Sequence, residues 1–325
     1  MKLYKKAILL LSGFVLLNGK PVFAKEVTVK ISFVGDCTLG NDKNATYDNR
    51  FNNVAQKVDY DYFLESVKDV FLKDDYTVAN LETTLTTESK FVEKQFNFKG
   101  LPEYTEILTS GGIDAVNISN NHTHDYGEKG YNDTISNLER ANIDYSGDTF
   151  NCIKDIKGIK FLFIGFKNNI SEDLINKKFE EIKNIDYDYL VVSSHFGIEG
   201  DHEFNSEQQK LYHYLIDKGA DIVIGHHPHV LQGIEVYQNK YIVYSLGNFC
   251  YGGHSNPKDK DTLIFQQILT FDENNLKDTD ICLIPCSLSS NSSYNDFKPT
   301  ILGGDEKERV LQKINKYSYN FSYKK

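Results

Sequence analysis

Short apolar segments rich in β-branched residues alternate with segments of helical periodicity along most of this chain. The segments typical of strands are residues 26–34, 76–81, 114–119, 159–166, 188–194, 220–224 and 241–246. The segments that favour helices are residues 58–72, 102–110, 128–141, 172–184 and 206–218. This alternation predicts an α/β fold, because helices must cover the apolar faces of such a sheet.

The alternation loosens after residue 255. The expected elements there are strands at residues 263–271 and 281–286, a Ser- and Asn-rich loop at 287–296, and a helix at 305–317. No Pro- or Gly-rich linker and no internal repeat interrupts the sequence. With 325 residues, 40% of them hydrophobic, the chain can bury a large core. We expect residues 25–255 to form one domain that residues 256–325 complete.

Residues 1–24 have the layout of an export signal. Three lysines within the first six residues precede an apolar run at residues 7–17, and Val22 and Ala24 fit the small-residue rule for cleavage after Ala24. A buried N-terminal helix and an uncleaved signal-anchor are the alternatives, although the run is short for a membrane span of about 20 residues. The expected location is extracellular or at the cell surface, with a membrane anchor if the signal is retained.

Charge and cysteine usage argue against three classes of protein. The chain has 36 basic and 46 acidic residues, and removal of residues 1–24 changes its formal charge from −10 to −14. Binding of nucleic acid through a basic patch is therefore not expected. The five cysteines show no C-x-x-C spacing, which argues against a zinc ribbon or a thioredoxin motif.

Polar side chains suited to metal binding or proton transfer directly follow five of the predicted strands. They are Asp36, Glu82, the run Asn120, Asn121 and His122, then His195, and finally His226, His227 and His229. In open α/β sheets the loops after the carboxyl ends of the strands converge on one crevice. These five segments are therefore expected to meet.

The residue types in this set indicate a metal centre. Imidazole, carboxylate and amide oxygen are ligands of Zn, Mn, Fe and similar ions. Two carboxylates with three or four imidazoles exceed the needs of one tetrahedral ion, which favours two ions about 3.5–4 Å apart with a bridging carboxylate. Such a site polarises a phosphoryl or carbonyl oxygen and generates hydroxide near neutral pH. The expected cofactor is one or two divalent ions.

Taken singly, most of these residues have simpler explanations. Asp36 fits a capping role, Glu82 a surface acid, Asn120–Asn121 a turn, and His195 a hydrogen-bonded core histidine. The cluster at residues 225–229 has no such simple explanation, because three imidazoles within four residues beside a buried strand need partners.

Five stretches resemble the CapA or PgsA type of capsule and poly-γ-glutamate synthesis protein, within the calcineurin-like metallophosphoesterase superfamily. They are FVGDCTLG (33–40), ANLETTLT (79–86), SNNHTHDYGEKG (119–130), SSHFGIEG (193–200) and GADIVIGHHPHVLQGIEVYQNKYIVYSLGNF (219–249). They occur in the family's order over roughly residues 26–255. The resemblance implies a four-layer α/β/β/α sandwich of metallophosphoesterase type, with the metal site at strand ends.

The resemblance also implies roles for individual residues. The metal ligands it implies are Asp36, Glu82 (in the bridging place), Asn121, His195, His227 and His229, with Asn120 and His226 as second-tier candidates. His122 would protonate a leaving group or stabilise a transition-state oxygen, and Asp125 would orient His122. The metal would be Mn, Zn or Fe.

Three departures from the family pattern concern catalysis. Thr38 stands where the wider superfamily has a histidine two residues after the first Asp, which implies a weaker metal position. Phe196 replaces a tryptophan in the family's HWG block. The chain has only three arginines, Arg50, Arg140 and Arg309, so candidates for a bidentate phosphate clamp are few.

Two classes of function follow from the motifs and the resemblance. The first is an exported metal-dependent hydrolase that acts on a phosphoester or an amide. The second is a non-catalytic, membrane-associated factor for export, assembly or anchoring of an anionic polymer, working with membrane-bound polymer synthesis proteins. A degenerate fold used only for protein contacts is a third reading, which six retained ligand positions disfavour. A charge of −14 opposes static binding of a long polyanion unless bound metal supplies the positive contact.

Overall fold

The structure is a computed structural model that describes residues 26–323. The strands are β1 (Val27–Thr38), β2 (Asn41–Asp42), β3 (Tyr76–Leu81), β4 (Thr84–Leu85), β5 (Phe98–Gly100), β6 (Ala115–Asn117), β7 (Asp144–Ser146), β8 (Cys152–Ile156), β9 (Ile159–Phe166), β10 (Tyr189–His195), β11 (Ile222–His226), β12 (Ile234–Tyr237), β13 (Lys240–Val243), β14 (Asn248–Tyr251), β15 (Asp261–Asp272), β16 (Asn275–Ser287) and β17 (Thr300–Ile301). The helices are α1 (Phe51–Ala55), α2 (Lys68–Phe71), α3 (Thr105–Gly111), α4 (Gly127–Arg140), α5 (Glu172–Ile182), α6 (Ser206–Lys218) and α7 (Gly304–Tyr317), with 3₁₀ turns at Tyr60–Phe63 and Pro102–Tyr104.

The strands form two large sheets and one small one. The first has the order β17-β16-β15-β1-β3-β6-β7, with β14 paired to the end of β1; the second has the order β12-β13-β11-β10-β9-β8; and β2-β5-β4 form the third. Strands β1, β3, β6 and β7 are parallel, as are β9, β10, β11 and β13. Parallel strands bring their carboxyl ends to one edge, which is where the polar motifs lie.

The two large sheets bury a common core between them. Along β1, Val29, Ile31 and Phe33 belong to the same buried cluster as Phe161 and Phe163 of β9. The alternation of side chains along each strand makes this possible, since every second residue faces the opposite sheet.

The outer face of each sheet packs against helices. Ala79 and Leu81 of β3 share a buried cluster with residues of α3 and α4. Leu162 and Ile164 of β9 share another with residues of α5 and α6. The predicted α/β class is therefore confirmed.

The helix predicted over residues 58–72 is largely wrong. The structure has only the 3₁₀ turn Tyr60–Phe63 and the single turn α2 in this segment, and neither has a side-chain cap. The apolar residues Phe63, Val67 and Phe71 are nevertheless buried. Burial of these side chains thus accounts for the periodicity, and tertiary packing overrides the local helical preference.

The C-terminal part is built into the first sheet. Strand β15 pairs with β1 from Val27↔Phe271 to Phe33↔Phe265. It also forms a long hairpin with β16, whose turn has positive φ at Glu273 and Asn274.

A buried carboxylate anchors the last helix to this hairpin. Asp261 at the start of β15 receives a bidentate pair of hydrogen bonds from Arg309 of α7, at 2.6 and 2.8 Å, and one from Lys313 at 2.8 Å. The guanidinium of Arg309 thus serves an internal contact.

The signal or anchor expected at residues 1–24 lies outside the described residues. Between residues 26 and 323, no helix has the length and apolar character needed to cross a membrane. All five cysteines are free thiols.

Candidate metal centre

Residues from both large sheets meet at the carboxyl ends of their parallel strands. Asp36 lies near the end of β1 and Glu82 directly follows β3, so the first sheet supplies both carboxylates. His195 ends β10, and His227 and His229 follow β11, so the second sheet supplies the imidazoles. The structure therefore brings together five of the six predicted metal ligands by way of their His, Asp and Glu side chains.

Asp36 is a fully buried carboxylate surrounded by donors. Its Oδ1 accepts a hydrogen bond from Asn80 Nδ2 at 2.8 Å, and its Oδ2 lies 3.2 Å from His229 Nδ1. Burial alone would raise the pKa of Asp36. Hydrogen bonds from His226 and His229, with the charge of His195, instead hold that pKa well below its usual value.

Glu82 is equally buried but has no hydrogen-bond donor. Neither carboxylate oxygen has a hydrogen-bond partner among the described residues. The nearest imidazole nitrogens are His195 Nε2 at 3.3 Å and His229 Nδ1 at 3.7 Å. Burial raises the pKa of Glu82 well above its usual value, although the charge of His229 opposes the shift. An orphaned buried carboxyl beside imidazoles is what a bound cation would satisfy, so the donor set fits a divalent metal.

The turn after β11 has an unusual backbone conformation at two of its histidines. His227 has φ 97° and His229 has φ 60°, in the left-handed region that costs free energy for residues other than glycine. His227 Nδ1 lies 3.1 Å from His195 Nε2, and burial lowers the pKa of both imidazoles. Burial also opposes a charge on His229, but Glu82 and Asp36 raise its pKa to about 10.

Three groups of side chains have donor atoms close enough to hold an ion. They are Glu82, His195 and His227; Asp36, Glu82 and His229; and Glu199, His227 and His229, each with its donor atoms within 4.8 Å of one another. Glu82 belongs to two of these groups. That is the position a bridging carboxylate would occupy between two ions.

His122 lies beside the centre and is oriented by Asp125. His122 Nδ1 is 2.7 Å from Asp125 Oδ2, while His122 Nε2 is 3.9 Å from Glu82 Oε1. Lys94 forms an ion pair with Asp125 and donates to the carbonyl of Asn121 at 2.7 Å. Burial lowers the pKa of His122, against the opposing effect of Asp125.

The two asparagines of the predicted set have different surroundings. Asn121 Oδ1 is buried and has no hydrogen-bond partner in residues 26–323, which is expected of an oxygen that ligates a metal. The amide of Asn120 is occupied by the protein itself, because it donates to Leu81 O at 2.9 Å and accepts from His122 N at 3.0 Å. His226, the other second-tier residue, is buried with Nδ1 3.4 Å from Asp36 Oδ1.

Four residues around the centre escaped the sequence reasoning. Asn80 donates to Asp36 and accepts from Asn117 at 2.8 Å. Asn248 Oδ1 is 2.9 Å from His229 Nδ1. The other two residues that the sequence did not point to are Lys94 and Glu199. Asn80, Asn248 and Glu199 lie within stretches that carried the family resemblance, which was a usable signal. Lys94 lies in a segment without a motif. Thr38 is buried at the end of β1 and its hydroxyl has no hydrogen-bond partner in the described part.

Fold and site together define an α/β protein with a buried centre of two carboxylates and several imidazoles at the junction of two sheets. The family described as "Bacterial capsule synthesis protein PGA_cap" matches residues 30–252, and the chain belongs to this family. All six predicted metal ligands fall within the matched residues. The resemblance drawn from the motifs is confirmed.

Two Bacillus relatives agree with this assignment. The chain is 27% identical over 316 residues to "Capsule biosynthesis protein CapA" of Bacillus anthracis, covering 88% of this chain and 72% of the relative. It is 29% identical over 246 residues to "PGA biosynthesis protein CapA" of Bacillus subtilis (strain 168), covering 68% and 62%. A crystal structure of a hypothetical protein from Thermus thermophilus aligns with a TM-score of 0.49 and 15% identity, over 79% of this chain and 99% of that one.

Proposed function

We propose that this protein is a metal-dependent hydrolase of capsule or poly-γ-glutamate biosynthesis, acting on a phosphoester or an amide at the cell surface. Its family and the names of its two Bacillus relatives support the biosynthetic role. Its motifs and two-sheet architecture support a sandwich of metallophosphoesterase type, and residues 1–24 support export.

The orphaned carboxyl of Glu82 is the observation that carries the proposal. An unpaired carboxyl at 0% exposure is costly to keep in a folded protein, unless a ligand compensates for it. Asp36, Asn121, His195, His227 and His229 would hold one or two ions of Mn, Zn or Fe with it. A bound ion would act as a Lewis acid and lower the pKa of a water molecule.

The residues of this chain would divide the remaining work. His122, held by Asp125 on its Nδ1 side, directs Nε2 towards the centre and would give a proton to the leaving group. Lys94 neutralises the buried carboxylate of Asp125. Asn80 holds Asp36 in place through a hydrogen bond of 2.8 Å.

Metal analysis and a substrate screen test this proposal on the chain from residue 25 to 325. We expect one or two equivalents of a transition metal, and turnover of either poly-γ-glutamate or a nitrophenyl phosphoester. His227→Ala should lose the metal and the turnover. His254→Ala is the matched control, because His254 is exposed and belongs to none of the three groups of donor atoms.

Two results would contradict it. Absence of bound metal after loading with Mn or Zn would contradict the proposed metal centre. Stable metal binding without turnover of either substrate class would favour the non-catalytic role in polymer export, assembly or anchoring, and recovery in the membrane fraction would support that role further.

A further inference from the structure

The loop between β10 and α6 is fastened to the histidine turn that follows β11. Phe196 N donates to His226 O at 3.0 Å, and Gly200 N donates to Pro228 O at 2.8 Å. Gly197 and Gly200 have φ values of 138° and 77°, which side chains with a Cβ rarely adopt. The backbone on both sides of Glu199 is therefore fixed relative to the histidines.

Glu199 places a free carboxylate at the solvent side of the centre. Its side chain is exposed and makes no hydrogen bond or ion pair with any residue from 26 to 323. One of its oxygens nevertheless lies within 4.8 Å of imidazole nitrogens of both His227 and His229.

The two histidines facing Glu199 belong to different inner groups. His227 shares a group with Glu82 and His195, whereas His229 shares one with Asp36 and Glu82. Ligands of one ion, at bond lengths of about 2.1 Å, are separated by roughly 3–4 Å. A small side-chain adjustment would bring the carboxylate of Glu199 into that range.

We propose that Glu199 is a third carboxylate ligand of the centre, which binds a divalent ion together with His227 or His229 from the solvent side. This inference rests on the metal centre of the proposed function. It adds a ligand from a loop outside the strand ends. The ion that Glu199 would contact, termed the outer ion, would then have a donor set of carboxylate and imidazole, suited to Mn²⁺ or Zn²⁺.

An alternative explanation is a metal-independent ion pair between Glu199 and the His229 imidazolium. The two explanations differ in the coordination of the bound ions: loss of a ligand changes that coordination and hence the Mn²⁺ spectrum, whereas loss of a nearby charge that does not contact an ion leaves it unchanged. Glu199→Gln keeps the size of the side chain and removes the charge. Glu203→Gln is the matched control, since Glu203 is an exposed acid on the same loop whose carboxylate makes no hydrogen bond or ion pair with the described residues.

The test is a Mn²⁺ titration of the metal-free chain (residues 25–325), followed by calorimetry and by electron paramagnetic resonance. We expect Glu199→Gln to lower the affinity for the outer ion at least 10-fold. At equal Mn²⁺ concentration, its electron paramagnetic resonance spectrum should change from that of a coupled pair of ions towards that of isolated ions. Glu203→Gln should match the wild type. Thermal unfolding in chelator should be the same for all three proteins, which excludes a folding defect.

The outcomes separate the two proposals. Equal affinities and spectra for Glu199→Gln and wild type would overturn the role of Glu199 while leaving the metal centre intact. If wild type binds a single ion, a loss of affinity of at least 10-fold in Glu199→Gln would support the ligand role of Glu199, and a smaller loss would contradict it. If wild type binds neither Mn²⁺ nor Zn²⁺, the metal centre itself is refuted, and the ligand role of Glu199 with it.

Discussion

Asp36 and Glu82 lie in the same centre, yet their surroundings favour opposite charge states. Asp36 accepts hydrogen bonds from Asn80 and from imidazoles, and its pKa is lowered. Glu82 lacks such donors among residues 26–323, and burial raises its pKa. A bound metal cation would stabilise the carboxylate form of Glu82 further than His229 alone does, so the charge state of Glu82 should be sensitive to metal.

Glu82→Gln should therefore separate stability from metal binding. In chelator we expect this variant to be as stable as wild type, or up to about 1–3 kcal/mol more stable, because an unpaired buried carboxyl is removed. A raised carboxyl pKa destabilises the fold increasingly as the pH rises above about 4, the usual pKa of Glu, so the difference should grow with pH. Metal should no longer raise its melting temperature.

Urea denaturation in EDTA and in Mn²⁺ measures both effects. Asp36→Asn is the comparison, because Asp36 is satisfied by hydrogen bonds; it should be less stable than wild type even in EDTA. A large loss of stability for Glu82→Gln in EDTA would show that Glu82 has a structural partner after all.

His122 gives a second test with a different signature. We expect His122→Gln to lower turnover about 10²–10⁴-fold, the usual contribution of a general acid, while metal content stays at the wild-type level. Steady-state kinetics with metal analysis of the same sample checks this. Loss of metal along with activity would make His122 a ligand rather than a proton donor.

At the residue scale, the sequence identified side chains that directly follow a strand. Asp36, Glu82, His195 and the 225–229 cluster were found in this way, because a strand end fixes where its next residue lies. Glu199 was missed, since its position depends on a loop whose backbone path is not encoded by any periodicity.

At the scale of elements, strand β1 reaches the centre only by passing very close to another backbone segment. A Cβ added to Gly35 would lie 1.9 Å from Gly247 O, and Asp36 N donates to that same oxygen at 2.9 Å. Only glycine therefore lets β1 place Asp36 beside the segment that carries Asn248.

Gly35→Ala should lower both stability and metal affinity. The clash forces β1 away from residue 247, and we expect a loss of about 1–3 kcal/mol with weaker metal binding. Gly303→Ala is the control, because a Cβ there meets nothing within 4 Å; its cost should stay below about 1 kcal/mol. Differential scanning calorimetry with and without Mn²⁺ measures both effects. Equal stability and equal stabilisation by Mn²⁺ in the two variants would contradict the need for glycine at residue 35.

The anchor of α7 on β15 predicts an acid-sensitive contact. Burial opposes ionisation of Asp261, but Arg309 and Lys313 outweigh it and lower its pKa. A lowered carboxyl pKa stabilises the fold fully above the unfolded value of about 4, and this contribution is lost as the pH falls through the folded pKa.

Asp261→Asn should therefore cost stability at neutral pH and little in acid. We expect about 1–2 kcal/mol at pH 7, reduced from the full value of a charged hydrogen bond because Arg309 is half exposed. The difference from wild type should shrink below pH 4 in urea titrations. A difference that is independent of pH would show that the contact acts by shape alone.

Elements with strict periodicity were predictable, and elements shaped by packing were not. Strands β9 and β10 and helices α5 and α6 match their expected ranges closely, because each has a long apolar stripe. Residues 58–72 have the same apolar spacing but only short turns, and the four-residue strands β12 and β14 were not predicted.

At the scale of the whole molecule, the centre joins the two large sheets. Asp36 and Glu82 come from one sheet and the histidines from the other, so a bound ion would link both halves of the core. We expect metal to raise the unfolding free energy of the entire domain in one transition, by about 2.7 kcal/mol at 100 times the dissociation constant. Hydrogen exchange should show protection in both sheets; protection in the second sheet alone would contradict this.

The pairing of β1 with β15 has a consequence for the order of events during synthesis. Residues 27–33 find their antiparallel partner only when residues 265–271 have left the ribosome. At about 5–20 residues per second, this delay is on the order of tens of seconds. The first strand, adjacent to the expected export signal, must therefore wait unpaired on that side. Until the C-terminal hairpin is synthesised, one edge of β1 therefore stays open, and the first sheet cannot be completed.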